Sequence, residues 1–182
     1  MSTLELKELS HPAGEVIKIA AGKTLDLKTQ GSVTMPTGSV IQVVTTRLTT
    51  QVTINTSSYV DVGGSLAITP KFANSLMYIL FTSHIYHNES PANQWGRANF
   101  QILRDAVVVT GGDPAGGFGS AKHSSVSAMH IMHHYNNSYM DSPNTLNTII
   151  YKPQISTVST NVLLNNSTYS SGGSITIMEI AR

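Results

Sequence analysis

Histidine is the residue type in this chain whose spacing first suggests chemistry. Imidazole is the commonest metal ligand near neutral pH, but same-side neighbours on one β-strand lie two residues apart. The histidines here are mostly three or four apart, and no acidic residue is placed for a zinc-protease motif. We therefore predict no metal site and no cofactor, and assign these residues to polar packing, exposed loops or hydrogen bonds between subunits. The two groups are His84 with His87, and His130 with His133 and His134.

Catalysis by a nucleophile or by paired carboxylates is poorly supported. The chain lacks the Gly-x-Ser-x-Gly elbow, and it has no cysteine, which excludes a thiol nucleophile, thiolate metal sites and disulfides. The Gly-rich segment 111–119 lacks the Gly-Lys-Ser/Thr of a phosphate loop and is interpreted as a display loop. Glycan hydrolysis needs two carboxylates, and several of the available ones occupy predicted turns. We predict that the protein is not an enzyme; the carboxylates considered are Asp61, Glu89, Asp105, Asp113, Asp141 and Glu179.

Aromatic and amide side chains are interleaved in the middle of the chain, within residues 84–97 and 112–144. Sugar rings stack on aromatic faces, and Tyr, Trp and Arg are common anchors of protein interfaces. The alternative is that these aromatics seal the edge of the fold or a seam between subunits. The candidate receptor-binding residues are Tyr86, Asn88, Trp95, Arg97, Phe118, Tyr135, Asn137 and Tyr139.

The composition restricts the class of protein. Ser, Thr and Asn supply 54 of the 182 residues, whereas charged residues make up 12%. The surface must therefore be covered mainly by hydroxyls and amides, which is typical of an extracellular or virion β protein. Lys and Arg number 11 against 10 acidic residues, with no basic block that would indicate binding to nucleic acid or to an anionic membrane.

We expect no targeting signal in this chain. The first 15 residues are polar and include three Glu, unlike the basic start and apolar core of a secretory signal. The longest apolar run, Leu76 to Phe81, is far shorter than the ~20 residues that span a bilayer. We expect synthesis in a host cytoplasm without a signal peptide, no membrane insertion, and assembly into a virus particle released by lysis.

Two regions must position these residues. Residues 1–39 are predicted to form an extended, Gly-punctuated arm, and residues 40–182 an antiparallel β-sandwich, because short runs rich in Val, Ile, Thr and Tyr alternate with turn residues. Residues 136–144 are predicted to be a loop, and the last strand to contain a bulge near Met178 or to be buried on both faces. The predicted strands are 40–44, 51–55, 59–68, 76–86, 98–103, 106–110, 124–133, 145–155, 161–164 and 174–180.

Several segments of the chain resemble the small fibre-type structural proteins of tailed bacteriophages, particularly marine and cyanobacterial phages. The resemblance covers roughly the first 80 residues and the last ten. Residues 84–97 and 112–144 do not match. The matching segments are Val33-Thr34-Met35-Pro36-Thr37-Gly38, Ile41-Gln42-Val43-Val44, Ser58-Tyr59-Val60-Asp61, Ala67-Ile68-Thr69-Pro70-Lys71-Phe72, Leu103-Arg104-Asp105 as a hairpin corner, and Thr176 to Ala181 as a terminal strand.

The resemblance implies a homotrimeric virion protein with an all-β, jelly-roll-like head. It implies a tail fibre or short appendage, whose arm, residues 1–39, docks to other virion proteins and whose head meets a host surface glycan or protein. One alternative is a capsid decoration or head-fibre protein without a receptor. Another is a lectin-like carbohydrate-binding module outside any virus.

Overall fold

The structure, a computed structural model, describes residues 21–23, 35–89, 96–110, 121–122, 129–158, 161–165 and 172–182. The chain divides into two units, residues 1–34 and residues 35–182, and all the described strands lie in the second. The division at residue 39 into arm and head, and the trimer, stay predictions.

Every regular element in the described residues is a β-strand, so the all-β prediction is confirmed. Among these residues there is no helix of the length and hydropathy needed to cross a membrane. In chain order the strands are β1 (Val40–Leu48), β2 (Val52–Ile54), β3 (Val60–Asp61), β4 (Leu66–Ile68), β5 (Leu76–Glu89), β6 (Gly96–Arg104), β7 (Val107–Thr110), β8 (Ala121–Lys122), β9 (Met129–Asp141), β10 (Ile149–Val158), β11 (Asn161–Leu164) and β12 (Gly173–Ile180).

The strands form two antiparallel sheets. In the first, the order is β1-β12-β5-β9, and β11 and β2 continue beside the second half of β5. In the second sheet, β3 and β4 pair one after the other with one edge of β10. The other edge of β10 pairs with β6, and β6 pairs in turn with β7 and β8. β3 and β4 can be counted together as one strand, as can β7 and β8, and the short strands β2 and β11 can be left out. The eight strands that remain, renumbered 1 to 8 in chain order, give sheet orders of 1-8-3-6 and 2-7-4-5. This is the jelly-roll order, in agreement with the predicted fold.

The core lies between the two sheets and follows from the alternation of side chains along each strand. In β12, Ile175 and Ile177 are fully buried while their neighbours are half-buried. The ring centroids of Phe81 in β5 and Phe100 in β6 lie 5.6 Å apart, so one aromatic from each sheet meets in the centre. Aromatic pairs at this separation add to the hydrophobic burial of each ring.

The predicted loop at residues 136–144 is wrong in its first part, because β9 continues as a strand to Asp141. Its 13 residues pair without interruption with β5. Asn136 and Asn137 suggested a turn, but Tyr135, Asn137 and Tyr139 alternate onto the half-buried inner face. Burial against a long partner strand outweighs the turn preference of asparagine.

Two finer predictions also need correction. The predicted strand 59–68 is two short strands, β3 and β4, separated by Gly63 and Gly64, whose φ angles of 79° and 69° break the extended backbone. The predicted bulge near Met178 is absent from the described pairing of β12, and the register shift lies in β1 between Val40 and Gln42. The apolar phase changes in β12 because its last buried inward position is taken by Glu179.

Candidate functional site

Three of the predicted recognition residues lie together on the inner face of β9. Tyr135, Asn137 and Tyr139 occupy alternate positions, so their side chains share that face. The Tyr135 and Tyr139 hydroxyls are 3.2 Å apart, and Asn137 Nδ2 donates to the Tyr135 hydroxyl at 3.3 Å. The Tyr135 ring stacks on Phe100 with centroids 4.1 Å apart. These side chains therefore contribute to packing at the edge of the core.

Burial raises the pKa of two tyrosines in this region. Burial, and then the hydrogen bond with Tyr139, raise the pKa of Tyr135 well above its ordinary value. Burial, and then the hydrogen bond to Asp141, likewise raise the pKa of Tyr151. Both phenols stay neutral at physiological pH, so they act as hydrogen-bonding groups.

Tyr86 lies on the opposite face of the first sheet. It is half-buried and stands opposite the exposed Met132 of β9 in the strand register. His84 and His134 form the next outward pair, with ring centroids 4.0 Å apart in an edge-on arrangement. We call the outward side chains of His84, Tyr86, Met132, His134 and Asn136 the outer β5–β9 surface.

The remaining predicted residues are dispersed. Arg97 is half-buried in β6, in the second sheet, where it pairs with Val158 and Ala121. Asn88 lies in β5, and only its backbone is described. Trp95 and Phe118 lie outside the described residues. The described members of the set therefore fall into an inner group on β9, Tyr86 on the outer face, and Arg97 in the other sheet.

The paired histidines are the feature that sequence spacing missed. Spacings of three and four exclude a shared face within one strand, but antiparallel pairing places residues of two strands side by side. His84 is directly opposite His134 in the register of β5 and β9. His84 Nδ1 also donates to the backbone oxygen of Gly172 at 2.8 Å. Comparing histidine positions between two predicted strands, rather than within each, is the signal that could have revealed the pairs.

The described carboxylates have structural partners. Asp141 accepts both an Arg104 N–H, at 2.7 Å to each oxygen, and the Tyr151 hydroxyl at 2.6 Å. This cluster joins the edge strand β9 of the first sheet to β6 and β10 of the second. Asp61 accepts a hydrogen bond from Gln154 at 2.7 Å. Asp105, with a φ of 54°, forms the β6–β7 turn predicted from the Leu103-Arg104-Asp105 segment.

Glu179 is the most enclosed carboxylate among the described residues, with no exposed surface. Its Oε1 accepts the backbone N–H groups of Lys71 and Phe72 at 2.8 and 3.1 Å, and the Ser75 hydroxyl at 2.7 Å. Its Oε2 accepts Gln42 Nε2. Four donors satisfy the carboxylate, which is the condition under which burying a charge is tolerated. Its lone pairs are used in holding the fold together.

The outer β5–β9 surface has side chains of the kind that bind a partner. Within the part of the chain that the structure describes, no three His, Asp or Glu side chains are grouped to hold a metal ion. The outer β5–β9 surface offers an aromatic ring, two imidazoles, a thioether and an amide to solvent. Such a mixture suits stacking and hydrogen bonding to a neutral partner.

No protein-family model matches the chain, and no curated protein sequence matches it. A solved structure of infectious bursal disease virus, Gx strain, is 12% identical over 87% of this chain and 42% of that chain, with a TM-score of 0.35. The crystal structure of the infectious bursal disease virus VP2 subviral particle is 10% identical over 87% of this chain and 41% of that chain, with a TM-score of 0.37. A structure of the Gt strain of the same virus is 9% identical over 88% of this chain and 42% of that chain, with a TM-score of 0.34. This chain thus spans 41–42% of the length of these viral proteins, and at these scores the likeness assigns it neither a family nor a function.

Proposed function

We propose that the protein is a non-enzymatic structural component of a phage particle, acting as a tail fibre or short appendage. In this proposal residues 1–39 dock to the particle, three copies associate, and the jelly-roll head is displayed toward the host surface.

The observation that carries the proposal is a corner of the head built from four of the segments that resemble phage fibre proteins. We call it the hinge corner, and it consists of residues 38–42, 69–75 and 179–181. Gln42 and the turn at Lys71 and Phe72 both bond the Glu179 carboxylate. Gly38 N donates to the backbone oxygen of Ala181 at 2.8 Å. Segments that are far apart in sequence, and that each resemble the phage fibre proteins, therefore pack together as one unit.

The surface chemistry supports the same proposal. The described carboxylates are engaged in structural hydrogen bonds, so the head is better suited to being displayed than to hydrolysis. A rigid sandwich holds its loops and surfaces in place while their sequence varies, which is how binding proteins commonly present recognition residues. Residues 84–97 and 112–144 do not match the phage fibre proteins. Within the described part of these ranges, the outer β5–β9 surface faces outward, with Tyr86 as its aromatic anchor.

The test is a competition experiment with the purified full-length protein. Host cells are exposed to the protein and then to the phage that encodes it, and adsorption of the phage is measured. We expect the protein to block adsorption and Tyr86→Ala to weaken the block by tenfold or more, since truncation of a binding anchor costs about 2 kcal/mol. Tyr78→Ala is the matched control, because Tyr78 lies on the same strand and the same outward face, eight residues away.

The outcomes separate the alternatives. Failure of the full-length protein to block adsorption, together with its presence in particles, would favour a decoration protein. Equal effects of Tyr86→Ala and Tyr78→Ala would place the recognition surface elsewhere on the head. Binding to a glycan array by a protein that is absent from particles would favour a lectin-like module.

A further inference from the structure

The outer histidine pair, His84 and His134, places two imidazoles side by side on the solvent-facing side of the first sheet. The two residues stand directly opposite each other in the register of β5 and β9. Their ring centroids are 4.0 Å apart, and the ring planes are inclined by 64°. Spacing within one strand excludes a shared metal site, but the pairing of two strands supplies the second imidazole from the neighbouring strand.

The separation of the rings is close to that of two imidazoles bound to one ion. With metal–nitrogen bonds of about 2.0–2.1 Å, imidazoles at neighbouring positions of a coordination shell have ring centres about 4.5–5 Å apart. The pair needs to open by only about 1 Å to reach this separation. His134 is exposed, so rotation about its side-chain bonds allows that change.

The hydrogen bond of His84 leaves a nitrogen lone pair for a metal ion. Nδ1 lies 2.8 Å from the backbone oxygen of Gly172, and a carbonyl oxygen can only accept, so Nδ1 carries the proton. The lone pair of the neutral ring is then on Nε2. Metal-binding histidines commonly donate their other N–H to a carbonyl in this way, which fixes the tautomer and the orientation of the ring.

The surroundings of the pair admit a cation. The chain has no cysteine, so no thiolate competes with imidazole for a first-row transition ion. Arg47 lies on β1, which is separated from β5 by β12, or about 10 Å. Its charge is largely screened over that distance at physiological ionic strength. The outward neighbours of the pair along β5 and β9 are uncharged, and they are Thr82, Tyr86, Met132 and Asn136.

The inner pair, His87 and His133, is less accessible. Its ring centroids are 5.7 Å apart, and His87 has no exposed surface. An ion could reach this pair only by entering between the two sheets. The outer pair is therefore the one that ions in solution can reach.

We propose that His84 and His134 bind one divalent transition-metal ion of the kind that imidazole prefers, Cu²⁺, Ni²⁺ or Zn²⁺, with water in the remaining positions. Each strand provides one ligand, so the ion ties the edge strand β9 to β5. Because strand pairing holds both imidazoles in place, the second binds at high effective concentration once the first has bound. Cu²⁺ binds most tightly of the three ions. The site does not depend on the role proposed for the head.

Binding of Cu²⁺ to the purified full-length protein tests the proposal. Electron paramagnetic resonance counts the coordinated nitrogens, and we expect the wild type to show two imidazoles on the tightest-bound ion. His84→Thr and His134→Thr should each lose this spectrum and bind Cu²⁺ more weakly in calorimetric titration, on the order of tenfold or more. Asn136→Thr is the matched control, because Asn136 lies on the same outward face of β9, two residues from His134. It keeps both imidazoles and should bind as the wild type does.

Hydrogen exchange gives an independent measurement on the wild-type protein. With free Zn²⁺ at about ten times its dissociation constant, protection of residues 132–136 should rise about tenfold, because the ion binds only the paired strands. Residues 151–155 of β10, in the other sheet, should not change.

Three results would each overturn the proposal. The first is a wild-type spectrum with one coordinated nitrogen or none. The second is equal affinity for Cu²⁺ in the wild type and both histidine variants, which would mean adventitious binding at the other histidines only. The third is protection of residues 132–136 that does not respond to Zn²⁺. The first and third need no variant, so they decide the matter even where a variant fails to fold.

Discussion

The carboxylate of Glu179 accepts the backbone N–H of Lys71 at 2.8 Å, across 108 residues of sequence. The Ser75 hydroxyl bonds the same oxygen at 2.7 Å, and Gln42 bonds the other. One buried side chain of the last strand thus holds β1 and the turn before β5 together. Loss of this buried acceptor would leave the Lys71, Phe72 and Ser75 donors without their bond to Glu179, while Gln42 Nε2 would keep its second bond, to the Thr69 backbone oxygen.

Replacing Glu179 by alanine should therefore lower the free energy of unfolding by about 3 kcal/mol, since four hydrogen bonds are lost at once. Urea unfolding measures the loss. Lys71→Ala is the matched control, because it removes an exposed side chain and leaves the backbone donor in place, so its effect should stay within about 0.5 kcal/mol. Equal stability of Glu179→Ala and the control would contradict the assigned role of the hinge corner.

Tyr135→Ala should destabilise the head by about 3 kcal/mol, because it removes a ring stacked on Phe100 at 4.1 Å. Tyr135→Phe keeps the stacked ring and loses only the hydroxyl contacts, so we expect about 1 kcal/mol or less. Thermal unfolding of both variants separates the contribution of the stacked ring from that of the hydroxyl group. A stable Tyr135→Ala protein that had lost only host binding would instead restore Tyr135 to the recognition surface.

The strand alternation around Ile175 and Ile177 was readable from the sequence, because a period of two needs no tertiary information. The role of Tyr135 was not, because an aromatic among asparagines looks the same whether it faces a loop or the core. The role of Tyr135 is decided by the pairing of residues 135–141 of β9 with residues 77–83 of β5, which puts its ring against Phe100. The histidine pairs were hidden for a related reason: contact between His84 and His134 depends on which strands pair and in what register, and single-strand spacing does not specify either.

Alkaline pH should destabilise the protein through its buried phenols. The pKa values of Tyr135 and Tyr151 are raised by burial in the folded chain, so above about pH 10 the unfolded chain loses protons that the folded chain retains. Stability from these two groups is complete below that pH and falls as the pH rises further. Urea midpoints at increasing pH should show this decline, and Tyr135→Phe should show a shallower one. A midpoint that stays constant to about pH 11 would contradict the burial of these phenols.

Removal of residues 1–34 should leave the head folded and weaken the association of three copies. Residues 35–182 form a unit of their own that retains the hydrogen bond from Gly38 to Ala181, and the arm has too few apolar residues to order itself without neighbours. Light scattering at micromolar concentration should give a trimer for the full-length chain and a smaller species for the truncated one. A full-length monomer, or equal association of both chains, would count against a trimeric arm.

We propose that this chain is built into a virus particle through its arm, residues 1–39. Quantitative mass spectrometry of gradient-purified particles, from cells that express either the full-length chain or residues 35–182, tests it most directly. We predict a fixed number of full-length copies per particle and near-complete absence of the truncated chain, although its head is folded. Absence of the full-length chain from purified particles, or equal incorporation of both chains, would show that the arm does not build this protein into the particle.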